Sequence, residues 1–491
     1  MATELIKEPM SKVDTAWLHM EQPTNLMMIN GVIIMDEHLD YDRLLETIEQ
    51  RFLTFRRFRQ KVVDTARGAY WVIDEDFDIR CHVRRTALPG AADQDELELL
   101  VSQLASTPLD TSKPLWQFYV VENFVEGPVI LTRIHHCIAD GIALVQVFLS
   151  LTDPTPEGRP SAKKPEVWKK RRAEESRVFQ RLLDPAREGL DFATHLGARL
   201  VQEGSKMLEN PAIAGSYAKE AGEIVRELAH SLTLENDPIT RFKGQLGTRK
   251  RVAWAEPLPL DEVKAVSKAF GCTVNDVLIA AVTGAIREYM VSAGDDPDGL
   301  EDIRATVPVN LRPLEHAQEL GNHFGLVFLS LPLSMGNPLE RLYAVNDRMN
   351  ELKSSKQAAV TLGFLGALGM GPSAVQKPVL DMLSQKATAV LTNVPGPQQP
   401  LYLAGSQMKE MMFWVPQNGN IGLGISILSY NGKVFFGLIS DYRLVSEPSA
   451  IISRFKKEFE KLLYLGMMLP LEGRPGTETA ETLLKKSLDD N

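Results

Sequence analysis

At 491 residues, 44% hydrophobic and 24% charged, the chain is too long for one hydrophobic core and long enough for two domains of ordinary size. Its formal net charge of -10 and pI near 5.6 exclude nucleic acid as the main partner, because phosphate binding needs a basic face. Three widely spaced cysteines, Cys81, Cys137 and Cys272, offer neither metal-ligand spacing nor a disulfide framework, which points to a reducing cytoplasmic compartment and no metal.

The opening residues carry no apolar core of a secretory signal, so none is expected. Strand and helix signals then alternate. "LMMINGVIIM" (26–35) is an apolar run of strand length, and "YDRLLETIEQRF" (41–52) has helical spacing. "YWVIDEDFDIRCHV" (70–83) reads as two short strands. "DQDELELLVSQLAS" (93–106) is a helix with acidic residues in its first turn. "PLWQFYVVENF" and "GPVILTRIHH" (114–136) are apolar strands about the turn "VEGP". "IALVQVFLSL" (142–151) is a buried helix opened by Gly141 and ended near Asp153-Pro154.

From Pro154 the character changes to a polar, basic stretch with Lys163, Lys164, Lys169, Lys170, Arg171, Arg172, Arg177 and Arg181. It fits either a solvated linker or a patch that docks on anionic lipid headgroups, with Trp168 and Phe179 at the interface. Helical spacing over 182–232 predicts crossover helices. The second half starts near residue 249 with a strand (250–258), a helix ending at Gly271 and a helix that Thr273 caps. Strands follow at 303–311, 324–333 and 387–397, with helices between the last two. Four strand-like runs then lie between Leu401 and Leu438, and a closing helix covers 449–465. The charge-free run 357–376 carries Gly363, Gly366, Gly369, Gly371 and Pro372, too much glycine for a membrane-spanning helix; close helix packing or a small face for a long apolar ligand both fit it. The segments are 1–153, a basic linker with crossover helices over 154–248, 249–472, and a loose tail over 473–491.

The stretch "RIHHCIADGIAL" (133–144) carries the chemistry. Successive side chains of a strand point to opposite faces, so His135 and His136 cannot both enter one site. One is reactive and the other supports it. A neutral imidazole is the best general base near pH 7, and it needs a weakly acidic nucleophile such as a hydroxyl. Asp140 reads as an ion-pairing or turn residue, and Gly141 as the residue that allows a tight backbone there.

"HHCIADG" resembles the HHxxxDG signature of the chloramphenicol-acetyltransferase-like acyltransferase superfamily. "PLW" (Pro114 to Trp116), "VNDVLIA" around Asn275 and Asp276, and "TNVPGP" (392–397) narrow the resemblance to the bacterial wax ester synthase/diacylglycerol acyltransferase family, from "MSKVDTAWLHME" to the last helix. The resemblance implies a mixed α/β fold: two similar domains, each a mixed sheet flanked by helices, facing across a tunnel that holds the active site. It implies that His136 takes the proton from a fatty alcohol or from diacylglycerol as that oxygen attacks a fatty acyl-CoA thioester, with no acyl-enzyme. Acyl-CoA is then a co-substrate, and no bound cofactor is expected.

His135 is a supporting residue in this scheme, and Asp140 pairs with an arginine for which Arg312 is the candidate. Asn275 is a candidate oxyanion donor or a packing residue. Asp276 is structural, Trp116 is core, and Asn393, Pro395 and Gly396 belong to a rigid turn. Leu144, Val360, Phe364 and Met408 are candidates for an acyl pocket and would look the same as core. "GLISDYRLV" (437–445) stands where relatives carry "DFGWG" and takes over its scaffolding. The expected location is the cytoplasm, peripherally attached to the inner membrane face or to lipid inclusions. Two other readings remain open from sequence: an amide-forming condensation enzyme and a non-catalytic lipid-surface binder.

Overall fold

Three sheets organise the chain in a computed structural model, which describes residues 7–36, 38–66, 68–158, 234–310, 320–322, 324–354, 361, 384–417 and 419–468. The smallest joins β1 (Glu8–Pro9), β3 (Gln60–Thr65) and β4 (Gly68–Ile73) in the order β1-β4-β3. The first large sheet is built on β2 (Met28–Met35), buried along nearly its whole length and antiparallel to β7 (Val129–His135). Beyond β7 lie β6 (Trp116–Val121), antiparallel, and β5 (Val83–Thr86), parallel. On its other side β2 pairs with β15 (Ser406–Trp414), followed by β14 (Tyr402–Leu403) and β8 (Thr152–Asp153). The second large sheet runs β10 (Leu258–Pro259), β17 (Lys433–Asp441), β16 (Leu423–Tyr430), β13 (Ala389–Pro395), β11 (Ile303–Asn310) and β12 (Phe324–Leu331), with β9 (Lys250–Trp254) also on β17. Both sheets mix parallel and antiparallel pairs, as the resemblance implies.

Helices flank both sheets. The first half carries α1 (Lys12–Met20), α2 (Tyr41–Thr47), α3 (Ile79–His82), α4 (Gln94–Ala105) and α5 (Gly141–Leu151); the second carries α6 (Leu260–Phe270), α7 (Val274–Ser292), α8 (Pro338–Ser354) and α9 (Ser449–Met468). The helix signals hold at the level of caps. α6 ends on Gly271 at φ 64°, a left-handed conformation that glycine adopts without a Cβ penalty. α7 opens with a capping box in which the Thr273 hydroxyl accepts from the Asp276 N–H and the Asp276 carboxylate accepts from the Thr273 N–H. α7 is buried on almost every face from Asp276 to Arg287, as a helix held between a sheet and other helices must be. Among the described residues no single helix is long and apolar enough to cross a membrane; α6 and α7 qualify only together, across a 99° bend.

Three differences from the sequence expectations have physical causes. In the stretch 70–83 only the first strand forms as expected, because Asp78 caps the Arg80 N–H and turns 79–82 into the single turn α3 before β5 begins. The helix over 41–52 changes at Thr47 into a π-helical segment, Ile48–Phe52. Third, β14 and β15 come from the second half of the chain yet complete the sheet of the first. Alternation of side chains marks 406–414 as a strand without saying which open edge it will pair with. The remaining basic stretch from residue 159, the crossover helices of 182–232, most of 357–376 and the tail lie outside the described residues, as do Arg312, Val360 and Phe364.

The halves are joined by polar contacts as well as by strand exchange. Along α4, Glu98, Ser102 and Ser106 follow one another at single-turn spacing. Their side-chain oxygens accept from the backbone N–H groups of Trp254, Val252 and Lys250 at 3.1, 3.0 and 2.8 Å. One face of a helix thus satisfies alternate donors of β9, a strand that would otherwise leave them unpaired. Buried Lys250 also pairs with Asp441 at 2.9 Å and donates to Asn25 Oδ1 at 3.3 Å. Asp441, within "GLISDYRLV", further accepts from the backbone of Gly247 and Arg443, so this segment does act as scaffolding.

Candidate active site

The histidine pair sits where β7 gives way to α5. His135 is the last residue of the strand; its Nδ1 accepts from the Cys137 N–H at 3.1 Å, so the ring proton lies on Nε2, which meets Glu21 Oε2 at 3.0 Å. Burial works to raise the Glu21 pKa. The hydrogen bond from His135, the Met27 N–H and the charge of Arg133 outweigh it and hold the carboxyl below its ordinary value. Both His135 nitrogens are therefore committed to the scaffold.

His136 is held differently. Its backbone N–H donates to Met27 O at 2.7 Å, and its carbonyl accepts from Asn322 Nδ2 at 2.8 Å. The imidazole stacks on Trp17 with centroids 4.2 Å apart and planes 19° apart, and Phe324 lies 5.6 Å away. Burial pushes its pKa down to about 4; the Asp140 charge, its own backbone carbonyl and Asn322 oppose this, and His135 adds to it. The ring is therefore neutral at pH 7, the state a proton acceptor needs. The neighbouring Cys137 thiol is pushed well above its ordinary value by burial and is no nucleophile.

Asp140 caps α5, accepting from the Ala143 N–H at 2.8 Å, while its own N–H donates to Gly321 O at 3.3 Å. Its arginine candidate falls outside the described residues. Gly141 corrects the expectation of a tight, glycine-only turn: it is the first residue of α5, its φ is not positive, and a Cβ there would meet nothing within 4 Å. Its bareness instead widens the wall of a cavity.

That cavity, about 840 Å³ including its open mouth, lies at the junction of the halves and is almost wholly apolar. An apolar lining of this kind is ordinary for a small-molecule pocket. Gly141, Leu144, Val145, Phe148 and Leu149 face it from α5, Ile29 and Gly31 to Ile33 from β2, and Met408 and Met411 to Phe413 from β15. Thr132 and Ile134 line it from β7. Alternation sends His135, with Arg133, to the opposite face, and His136 follows in the turn just beyond the strand. Two expected pocket residues, Leu144 and Met408, are thus brought to one cavity.

The motif residues occupy distinct places. Trp116 is core: fully buried, its Nε1 donates to Phe58 O at 2.8 Å and its ring stacks on His82. Pro114 precedes Leu115, whose carbonyl accepts from the His135 N–H at 3.0 Å, so "PLW" braces the histidine strand. Asp276 is fully buried, accepting from Asn346 Nδ2 at 2.7 Å besides its cap, and is structural. Asn275 is exposed, and its Oδ1 accepts from Asn393 Nδ2 at 2.7 Å. This ties two separated motifs together and leaves the Asn275 amide protons available as donors. Pro395 ends β13; at Gly396 a Cβ would overlap Ser429 O, so glycine is required by close approach of two backbones, and Gly396 also lines the cavity. Among the described residues no cluster of His, Cys, Asp and Glu is arranged to hold a metal ion.

Sequence reasoning missed Asp14, Trp17, Glu21, Asn322 and Phe324. The only signal for the first three was the stretch 10–21, where Ser11 caps α1 and the three residues follow at roughly helical spacing. Nothing local marked Asn322.

Comparison with known proteins adds to this geometry. Residues 10–278 match a family described as wax ester synthase/diacylglycerol acyltransferase catalytic domain, and residues 320–463 match its C-terminal domain. A probable diacylglycerol O-acyltransferase of Mycobacterium tuberculosis is 27% identical over 446 residues, 89% of this chain and 91% of that one. The wax ester synthase/diacylglycerol acyltransferase from Marinobacter aquaeolei VT8 has a similar structure, with a TM-score of 0.65 at 20% identity over 94% of this chain and 100% of that one. The starter condensation domain of rhizomide synthetase, solved with C8-CoA and Leu-SNAC, gives 0.57 at 12% identity over 95% and 96%. At such identities the two structures show a shared fold.

Proposed function

From the premise that the chain belongs to the wax ester synthase/diacylglycerol acyltransferase family and is an acyltransferase, we propose that it moves a long-chain acyl group from a fatty acyl-CoA to the hydroxyl of diacylglycerol or a fatty alcohol, with His136 as the base. The observation that carries this is a buried, neutral imidazole just past the end of the strand whose Thr132 and Ile134 line an apolar cavity. The acceptor hydroxyl gives its proton to His136 as its oxygen bonds to the thioester carbonyl carbon. The tetrahedral intermediate collapses by breaking the carbon–sulfur bond, and the leaving CoA sulfur takes the proton back from the imidazolium. No covalent bond to the protein forms, and no metal or cofactor is called on. The cavity contributes by holding the acyl chain so that the ester is formed from a positioned pair.

The Asn275 amide is the candidate donor to the oxyanion, its orientation set by Asn393. The basic stretch between Lys163 and Arg181 would keep the enzyme at anionic lipid, on the cytoplasmic side of a membrane or on lipid inclusions, where both apolar substrates reside.

The test is thiol release from palmitoyl-CoA with dioleoylglycerol or hexadecanol as acceptor. Folded His136→Ala is expected to lose about 10² to 10⁴-fold in rate. Wild-type kcat/KM should stay level through neutral pH and fall only as pH drops toward the His136 pKa of about 4, where the base becomes protonated. Acceptor-dependent release that survives in the variant would remove His136 from the reaction.

A further inference from the structure

Two buried polar atoms beside the catalytic loop make no hydrogen bond of ordinary geometry: His136 Nδ1, which its own carbonyl and the Asn322 side chain influence only from longer range, and Asn322 Oδ1. They belong to residues that already touch, since Asn322 Nδ2 donates to the His136 carbonyl at 2.8 Å. The orientation of the Asn322 amide is not arbitrary. Its Nδ2 lies against two acceptors, His136 O and Asp14 Oδ1, each at 2.8 Å, and turning the amide over would set oxygen against oxygen at both. Oδ1 is therefore the free acceptor of a residue fixed on the backbone of the base. A buried acceptor and a buried ring nitrogen left unpaired on touching residues are each unfavourable, and pairing them with one another would satisfy both.

Resting on the assignment of His136 as base, we propose that Asn322 is its positioning residue, with Nδ2 pinning the His136 carbonyl and Oδ1 accepting from Nδ1–H. Nε2 is thereby left unprotonated toward the acceptor hydroxyl. The same bond strengthens when the ring becomes imidazolium, which is the moment a buried base most needs support. Asn322 acts in that direction on the His136 pKa, against burial.

Asn322 comes from the second half of the chain and is itself anchored on α1. The Asp14 carboxylate accepts from both the Asn322 N–H, at 3.1 Å, and its Nδ2. Beside it, Gly321 accepts from the Asp140 N–H. The short segment 321–322 thus grips the 136–140 loop at both ends, and the base is in place only when the halves are docked. The charged and titratable groups around the ring are Asp140 on its own loop, His135 behind it, and Asp14 across Asn322; Trp17 and Phe324 contribute apolar faces.

Three measurements test this. In wild type, ¹⁵N NMR of the histidine ring should find His136 with its proton on Nδ1; a proton on Nε2 overturns the proposal without any variant. Asn322→Ala should lower kcat about 10²-fold, with KM for palmitoyl-CoA unchanged to within about two-fold. A folded Asn322→Ala with wild-type kcat overturns it, and leaves the base assignment standing if His136→Ala is dead. The exchange Asp14→Asn with Asn322→Asp keeps one carboxylate and one amide in the pair and moves the charge beside the imidazole; it also gives up the bond to the His136 carbonyl, so its readout is the pH profile and not the rate. A carboxylate there favours the imidazolium, so the acid limb of kcat/KM should move up by about one pH unit or more. An unmoved limb in the folded exchange variant would reduce Asn322 to a structural contact.

Discussion

The contact between α4 and β9 makes a pH-dependent stability prediction. Glu98 is partly buried at this junction, and burial raises its pKa from 4.5 to about 7, while the Gln94 side chain and the Trp254 N–H pull it down and Asp95 pushes it up. Arg251 and Glu447 line the same cleft. The folded state therefore binds a proton at Glu98 that the unfolded chain has already released. The stabilisation linked to that proton is complete below about pH 4.5 and is lost as pH rises through about 7. At about 1.36 kcal/mol per pH unit the full difference is about 3 kcal/mol, and the residue's partial contact with water reduces this to about 1–2 kcal/mol.

Glu98→Gln keeps an oxygen that can accept from Trp254 N–H and removes the ionisation. Hydrogen exchange of the peptide carrying residues 250–254 is the assay, corrected for intrinsic rates, because these amides open when α4 leaves β9. At pH 5 the variant and wild type should be equally protected. At pH 8 the variant should be better protected by about 1–2 kcal/mol, roughly five- to thirty-fold in exchange rate. An equal difference at both pH values, or greater protection of wild type at pH 8, would refute the assignment of a raised carboxyl at this joint.

The apolar cavity predicts a change of selectivity. Leu144→Trp fills the wall facing β2 and β15 and should lower the ratio of long-chain to short-chain acyl-CoA turnover roughly ten-fold; an unchanged ratio in a folded variant would remove this cavity from acyl binding. Flotation with anionic vesicles should be salt-sensitive and fall when Lys169, Lys170, Arg171 and Arg172 are neutralised. Equal flotation of the neutralised protein would place membrane attachment elsewhere.

Local patterns in the chain were enough for most elements. Strand-length apolar runs, Gly271 at a helix end and Thr273 with Asp276 at a helix start act through the residue's own backbone and its neighbours within a turn, so they are legible without tertiary contacts. The expectation that His135 and His136 cannot share one environment rested on strand alternation; the structure does separate them, one bonded to Glu21 and the other stacked on Trp17, but because the strand ends between them. The cap at Asp78 was equally local, yet it was hidden inside an apolar run that matched a strand.

What the sequence by itself determined is therefore the inventory: two sheets' worth of strands, the helices between them, and a histidine pair at a strand-to-helix junction. The tertiary structure decided the rest. It chose which edge β15 completes, brought Leu144 and Met408 to one cavity, joined Asn275 to Asn393 across 118 positions and placed Asn322 on His136 across 186. Such pairings depend on which surfaces meet when two halves dock, and a polar side chain carries no local mark of a partner nearly two hundred residues away. The pKa of His136 belongs to that second class. A histidine in sequence is an ordinary imidazole that titrates near neutrality, and burial beside Trp17 and Phe324 is what lowers its pKa to about 4 and keeps it neutral well into the acid range.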